Sequence, residues 1–279
     1  MQQALQLNLD ELGRSWAIAM RPDVSICLLT WNRAAFLEKC LSQLFSSLTP
    51  TDKGGLTREI LIMDNASTDH TPEVLSKFKC YPDVRIVRNK RNLRFAAYKR
   101  LFFHARGKII IDVDDDILSF PKDFDKTLFE YMEVYRDYGF LACNVIQNDK
   151  TDGARPRNAT YVEDRRGDMV VEEGPTGGWC SAFRRRDYLL IKLLIFFFKM
   201  NARTPEDAYI ASLCMRLHKR MGLIKNAVVF HACGPVYSRE NNYLDRDIEK
   251  HLAGESFELA RLYVAEKERV SDGHLSSVQ

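Results

Sequence analysis

Residues 107–118 read GKIIIDVDDDIL, and the rest of the chain is organised around this stretch. Ile109, Ile110 and Ile111 run directly into Asp112, Asp114, Asp115 and Asp116. A short apolar run after a glycine predicts a buried strand. Carboxylates packed at its carboxyl end do nothing for stability alone. Like charges at this spacing repel, and some take up protons unless a cation sits among them. Hard oxygen ligands on a short loop suit Mg²⁺ or Mn²⁺, with a substrate diphosphate completing the shell. The plain alternative is a solvated acidic turn.

Upstream, residues 24–30 (VSICLLT) predict a first strand, followed by Trp31, Asn32 and Arg33. Phe36, Leu37, Cys40, Leu41 and Leu44 recur at helical spacing, so 34–45 predict an amphipathic helix. A polar loop over 49–57 leads to a strand at 59–63, which ends in Asp64-Asn65-Ala66-Ser67-Thr68-Asp69. Thr71-Pro72 predicts a helix start, with Thr as N-cap and Pro at the first position. A third strand is expected at 84–87 and a helix at 95–104, ended by Gly107. Strands alternating with helices imply right-handed crossovers and a Rossmann-like α/β fold, a mostly parallel sheet flanked by helices. In such sheets ligands bind beyond the carboxyl ends of the strands. The polar clusters at 30–33, 64–69, 89–94 and 112–116 all fall there, so the periodicity itself predicts that they converge on one site.

The second half is less regular. Helices are expected at 124–138 and 206–221, and strands at 140–146 and 227–230, the last ending in His231. Residues 148–167 are charged and poor in apolar side chains, and read as a mobile excursion. GPTGGW (174–179) is a turn beside a bulky aromatic. The expected organisation is an N-terminal arm (1–22), a nucleotide-binding half (23–118), an acceptor and catalytic half (119–243) and a helical tail (244–279).

Composition sets bounds. A length of 279 residues with 46% hydrophobic residues allows one large domain with a sizeable core. A net charge of +3 permits acidic partners without demanding nucleic acid, and none is expected. Seven cysteines, scattered with no paired spacing, read as reduced thiols in a cytoplasmic protein. The start lacks a basic segment followed by an apolar run, and no stretch is long enough to predict a spanning helix.

The ordered set VSICLLTWNR, EILIMDNASTD, NLRFAAYKR, IIIDVDDDIL, GPTGGW, PEDAYIAS and VVFHACG resembles family 2 glycosyltransferases of the GT-A fold. The resemblance implies a nucleoside diphosphate sugar donor, a UDP-sugar foremost, and Mn²⁺ or Mg²⁺. It implies an inverting transfer to a hydroxyl of a glycan or lipid-linked acceptor. Both 112/114 and 114/116 fit its acidic DxD motif. In relatives the motif follows a glycine at the interval that separates Gly107 from Asp114, which favours Asp114 and Asp116 as metal ligands. Asp115 then lies beside the sugar or ribose, and Asp112 within the strand. Thr30, Asn32 and Arg33 would flank the nucleoside. Asp64, with Asn65 beside it, would accept a hydrogen bond from the base, the alternative being a turn that closes the strand. Asn92 and Arg94 fall near the diphosphate. This segment departs from the family pattern, since Arg94, Lys99 and Arg100 add charge, and a solvated helix face is the alternative.

Asp207, with Glu206, matches the family's general base. The pair also reads as an ordinary helix start, with Thr204 as cap and Pro205 in the first turn. His231 would complete the metal shell; its alternative is a structural histidine. Gly177, Gly178 and Trp179 would border the acceptor, or else form a tight turn and a core aromatic. Arg184, Arg185 and Arg186 precede an apolar run over 188–200, too short to span a bilayer but able to lie on the inner face of a membrane. The alternative there is a buried helix or a dimer surface. Two other functions compete. A nucleotidyltransferase needs a glycine-rich basic loop after the first strand, and TWNRAAFLEKC contains no glycine. A catalytically silent sugar-binding module on the same fold would need no intact acidic cluster.

Overall fold

The computed structural model describes residues 21–50, 55–151, 155–156, 158–195 and 206–275. The expected arm over 1–22, the Thr204-Pro205 helix cap, part of the 188–200 run and the extreme C-terminus lie wholly or partly outside them.

The first half follows the expected alternation. Strands β1 (Val24–Thr30), β2 (Arg58–Asp64), β3 (Val84–Arg88) and β4 (Ile109–Asp114) alternate with helices α1 (Ala34–Ser47), α2 (Thr71–Phe78) and α3 (Ala96–His104). The strands lie side by side in the order β3-β2-β1-β4, all parallel. Gly107 allows β4 to start against β1. A Cβ there would lie 2.4 Å from the Ser25 amide nitrogen, and the Gly107 N–H donates to Ser25 Oγ at 2.6 Å.

The second half widens the sheet. After β5 (Ile117–Ser119) and α4 (Phe124–Val134) come β6 (Tyr138–Val145), β7 (Val162–Arg166), β8 (Met169–Glu173) and β9 (Cys180–Arg184). Helices α5 (Arg185–Ile195) and α6 (Glu206–Arg216) then lead to β10 (Arg220–His231), followed by α7 (Pro235–Glu240), α8 (Leu244–Ala253) and α9 (Phe257–Leu275). The sheet runs β3-β2-β1-β4-β9-β6-β10-β8-β7, with β9 antiparallel to both β4 and β6. Helices cover both faces. Leu37, Leu41 and Leu44 of α1, with Val74 of α2 and Leu128 of α4, pack on one side; Leu101 of α3 and Ile210 of α6 pack on the other.

Several expectations need correction. Residues 148–167 are not simply an excursion: β7 pairs antiparallel with β8 through Gly167-Asp168, where Gly167 adopts φ +62°. The strand expected at 227–230 is only the end of β10, whose register shifts between Ile224 and Val228, so polar Lys225 and Asn226 hid one long strand as two pieces. The helix expected to 221 ends at Arg216, because His218 adopts φ +51° and the Lys219 N–H closes the end by donating to the Cys214 carbonyl at 2.8 Å. Thr71 is inside α2 rather than its cap, and Asp69 takes that work. One carboxylate oxygen of Asp69 accepts the Thr71 N–H and the other accepts the Ala34 N–H, both at 3.0 Å. Arg184 is buried, its guanidinium bonded to the Tyr138, Met132 and Tyr135 carbonyls, so it closes the end of α4 rather than facing a membrane. No helix among the described residues is long and apolar enough to cross a membrane.

Candidate active site

The carboxyl ends of β1, β2 and β4 open into a cleft of about 850 Å³, mouth included. Leu29, Thr30, Trp31 and Arg33 line it from β1 and its loop, Asn65 from β2, and Asn92, Arg94 and Phe95 from the loop before α3. Asp114, Asp115 and Asp116 form its floor with His231 and Cys233, and α8 closes it with Arg246, Glu249 and Lys250. The four polar clusters therefore do converge.

The floor is built by backbone pairing. Asp114 ends β4, and its N–H donates to the Trp179 carbonyl at 2.9 Å. The chain turns at Asp115 and Asp116 into β5, which pairs antiparallel with the end of β10 and sets Ile117 opposite His231. His231 Nε2 thereby lies 3.0 Å from Asp116 Oδ1 and 3.5 Å from Asp114 Oδ2. Thr30 donates its hydroxyl to Asp115 at 2.8 Å. Arg33, 4% exposed, donates to Asp115 at 3.2 Å, to Asp116, and through its other terminal nitrogen to Asp247 of α8 at 3.0 Å.

Electrostatics separate these acids. Burial pushes the Asp114 carboxyl up, and neighbouring Asp116 adds to this against the pull of His231. Burial opposes ionisation of Asp116 as well, but Arg33 and His231 hold it well below the usual carboxylate range. His231 is raised: burial lowers it, and Asp116 more than compensates.

A second acidic group lies under the same floor. Asp112 is fully buried on β4, and neither of its carboxyl oxygens has a hydrogen-bond partner among the described residues. Burial, then Glu206, Asp114 and Asp207, raise it well above the normal range. Glu206 is pushed to about 8 by burial and then by Asp207 and Asp114. Asp207 is raised by burial, and its Oδ1 accepts the Ala208 N–H at 2.6 Å. Gly178 makes the close approach possible, since a Cβ there would lie 3.3 Å from Glu206 Oε1, 3.4 Å from Asp207 Cβ and 3.8 Å from Asp112 Oδ2.

Other expected residues have different surroundings. Asp64 does not line the cleft. One of its oxygens accepts the Ser67 N–H at 2.8 Å and the other lies 3.1 Å from Arg88 Nε, so it closes its own loop. Asn32, at φ +49°, accepts from the Thr68 N–H and ties the β1 and β2 loops together. Asn65 donates to Asn92 at 2.8 Å, while Arg94 stands at the cleft with φ +52°. Trp179 is 6% exposed, and its Nε1–H donates to the Cys143 carbonyl at 2.9 Å, which makes it a wall of the core. A Cβ on Gly177 would strike that indole at 2.4 Å.

Sequence reasoning missed Tyr98, Cys233 and the residues of α8. Cys233 stands two positions after His231, a spacing that could have flagged it. Nothing in 244–254 marks Asp247 as the partner of Arg33, because the contact spans 214 positions.

The profile of glycosyl transferase family 2 matches residues 25–223. The chain belongs to glycosyl transferase family 2. EpsE of Bacillus subtilis (strain 168) is 29% identical over 136 residues, covering 46% of this chain and 45% of EpsE. An undecaprenyl-phosphate 4-deoxy-4-formamido-L-arabinose transferase of Shewanella sediminis (strain HAW-EB3) is 26% identical over 167 residues, 58% of this chain and 48% of that protein. The chain thus spans about half the length of these curated relatives. Among solved structures, a mannosyltransferase from Pyrobaculum calidifontis in complex with GDP-Man and Mn²⁺ has a TM-score of 0.54 at 18% identity, over 91% of this chain and 76% of that one. The family 2 chain has the GT-A fold.

Proposed function

We propose that this family 2 member is a metal-dependent, inverting glycosyltransferase that moves a sugar from a nucleoside diphosphate sugar to a hydroxyl of a glycan or lipid-linked acceptor. The observation that carries the reading is the meeting of Asp114, Asp116 and His231 at the floor of a cleft walled by Thr30, Asn65, Asn92 and Arg94. The donor set fits a divalent cation. Buried carboxyls in mutual repulsion, together with an imidazole whose Nδ1 has no hydrogen-bond partner among the described residues, suit such an ion. Asp114, Asp116 and His231 would hold it, and bound there it supplies positive charge to the diphosphate as the bond to the sugar breaks.

The protein's own groups do the rest. Arg33 keeps Asp116 ionised and fixes its orientation. Arg94 and Lys250 stand at the cleft where the diphosphate would lie. Asp207 takes the proton of the acceptor hydroxyl, and its raised proton affinity brings it nearer to the range of a working base. Glu206 beside it is protonated near neutrality and adds no second charge against that proton transfer. Gly178 packs against Asp207 and Glu206 without a side chain and so holds the acidic pair in place.

The test is release of nucleoside diphosphate from a panel of UDP-, GDP-, dTDP- and ADP-sugars in the presence of glycan and lipid-phosphate acceptors. Asp207→Asn is expected to lower kcat by at least about 10²-fold, the scale of a lost general base, with an unchanged melting curve. Full activity in that variant rules out Asp207 as the base.

A further inference from the structure

We propose that Cys233 is a ligand of the divalent ion, and that this site takes thiophilic cations such as Co²⁺, Zn²⁺ or Cd²⁺ in preference to Mg²⁺. The inference rests on the metal-dependent reading above and specifies which ion that site selects.

The donor atoms of Asp116, His231 and Cys233 all lie within 4.8 Å of one another. An imidazole nitrogen and a thiolate sulfur on one tetrahedral ion lie about 3.6 Å apart. Closing the trio onto an ion therefore needs side-chain shifts of up to about 1 Å. The backbone explains why the three meet. The Ala232 N–H donates to the Asp116 carbonyl at 3.0 Å, which pins the extended end of β10 beside the DxD turn. Alternation along extended chain places His231 and Cys233 on one side of that pin, and both line the cleft.

A second observation points to a ligand. His231 is 5% exposed, its Nε2 faces two carboxylates, and its Nδ1 has no hydrogen-bond partner among the described residues. Asp116, 3% exposed, keeps an Oδ1 with no hydrogen-bond partner among the described residues, 3.0 Å from His231 Nε2, and an ion bound between them would satisfy it. Cys233 also differs from cysteines with a settled structural contact. Cys40 donates to the Asp114 carbonyl and Cys80 to the Lys77 carbonyl. Among the described residues the Cys233 thiol makes no such bond, and it lines the cleft, half-buried.

The chemistry sets the preference. Coordination replaces the S–H bond by an S–metal bond, and the thiol proton passes to solvent. An ion with affinity for sulfur displaces that proton, and a hard ion does not. Mg²⁺ demands oxygen ligands in near-octahedral order and gains nothing from a thiolate, whereas Co²⁺, Zn²⁺ and Cd²⁺ do.

The experiment titrates the EDTA-treated full chain with Co²⁺ and with Cd²⁺ and follows thiolate-to-metal charge-transfer absorption. It is run on Cys80→Ser, which removes the exposed thiol, and on Cys80→Ser/Cys233→Ser. The first should show a band that saturates at one ion per chain. The second should lack it and bind Cd²⁺ roughly 10- to 100-fold more weakly, with Mg²⁺ affinity unchanged. Saturable Co²⁺ binding that is lost in His231→Ala but carries no thiolate band overturns the proposal and leaves the metal-dependent reading intact. So does a band of full intensity in Cys80→Ser/Cys233→Ser. Absence of any Co²⁺ or Mn²⁺ binding by calorimetry, with and without UDP and GDP, overturns both.

Discussion

Arg33 joins groups that lie far apart in the chain: the turn at Asp115 and Asp116, and Asp247 of α8. It also stacks against aromatic faces, with its guanidinium carbon 5.3 Å from the Phe36 ring centre and 6.0 Å from that of Tyr243. Removing it leaves buried carboxylates uncompensated, so Arg33→Ala should lose about 3–5 kcal/mol of stability by urea unfolding. Arg33→Lys should recover only part, because a single ammonium cannot make the forked contacts. Glu206 makes a pH prediction. Its proton affinity is raised from 4.5 to about 8, so between those values the folded chain holds a proton that the unfolded chain has lost. Its contribution is fully present below about pH 4.5 and falls as pH rises through about 8. Glu206→Gln should flatten that fall, read from urea midpoints across the range. At this scale the sequence revealed which residue types gather at the site, but not the tasks of all of them. Asp64 and Trp179 look the same in sequence whether they touch a ligand or their own loop and core, because the ion pair to Arg88 and the hydrogen bond to the Cys143 carbonyl join residues far apart in the chain.

Elements were legible where the pattern was local. The repeated strand-and-helix alternation through β4 is written in apolar runs and helical spacing, and the pairing order follows from it. Strand β9 was not legible. Its five buried residues, Cys180–Arg184, include Ser181 and Arg184, and only its place between β4 and β6 makes it a strand. Gly107 is a direct test of how β4 is seated. A methyl group there meets the backbone of Val24 and Ser25 rather than a movable side chain. Gly107→Ala should therefore cost about 1–3 kcal/mol and lower nucleotide affinity with it, because Asp114 and Asp116 ride on the same strand. Differential scanning calorimetry and a nucleotide titration of the variant read both effects.

In the whole molecule, the first half supplies Thr30, Asn65, Asn92 and the Asp114 to Asp116 floor of the cleft, β10 supplies His231, and the turn before β9 brings Gly178 against Glu206 and Asp207 of α6. The C-terminal helices join them: α8 reaches back over the cleft, with Arg246 donating to the Trp31 carbonyl at 3.0 Å and Asp247 bound to Arg33. The expected boundary before residue 244 therefore runs through the site. Sequence pattern cannot show such a return, since an amphipathic tail helix docks equally well on many surfaces.

The central claim is that Asp114, Asp116 and His231 form a cation site that a nucleoside diphosphate completes. Its most direct test is the melting temperature with UDP, GDP, dTDP and CMP, each with Mn²⁺ and each with EDTA. Binding to the folded chain raises stability with the logarithm of ligand concentration over the dissociation constant. The account predicts a rise with one diphosphate that needs Mn²⁺ and disappears in His231→Ala. No rise with any nucleotide, or an equal rise in EDTA, would contradict it.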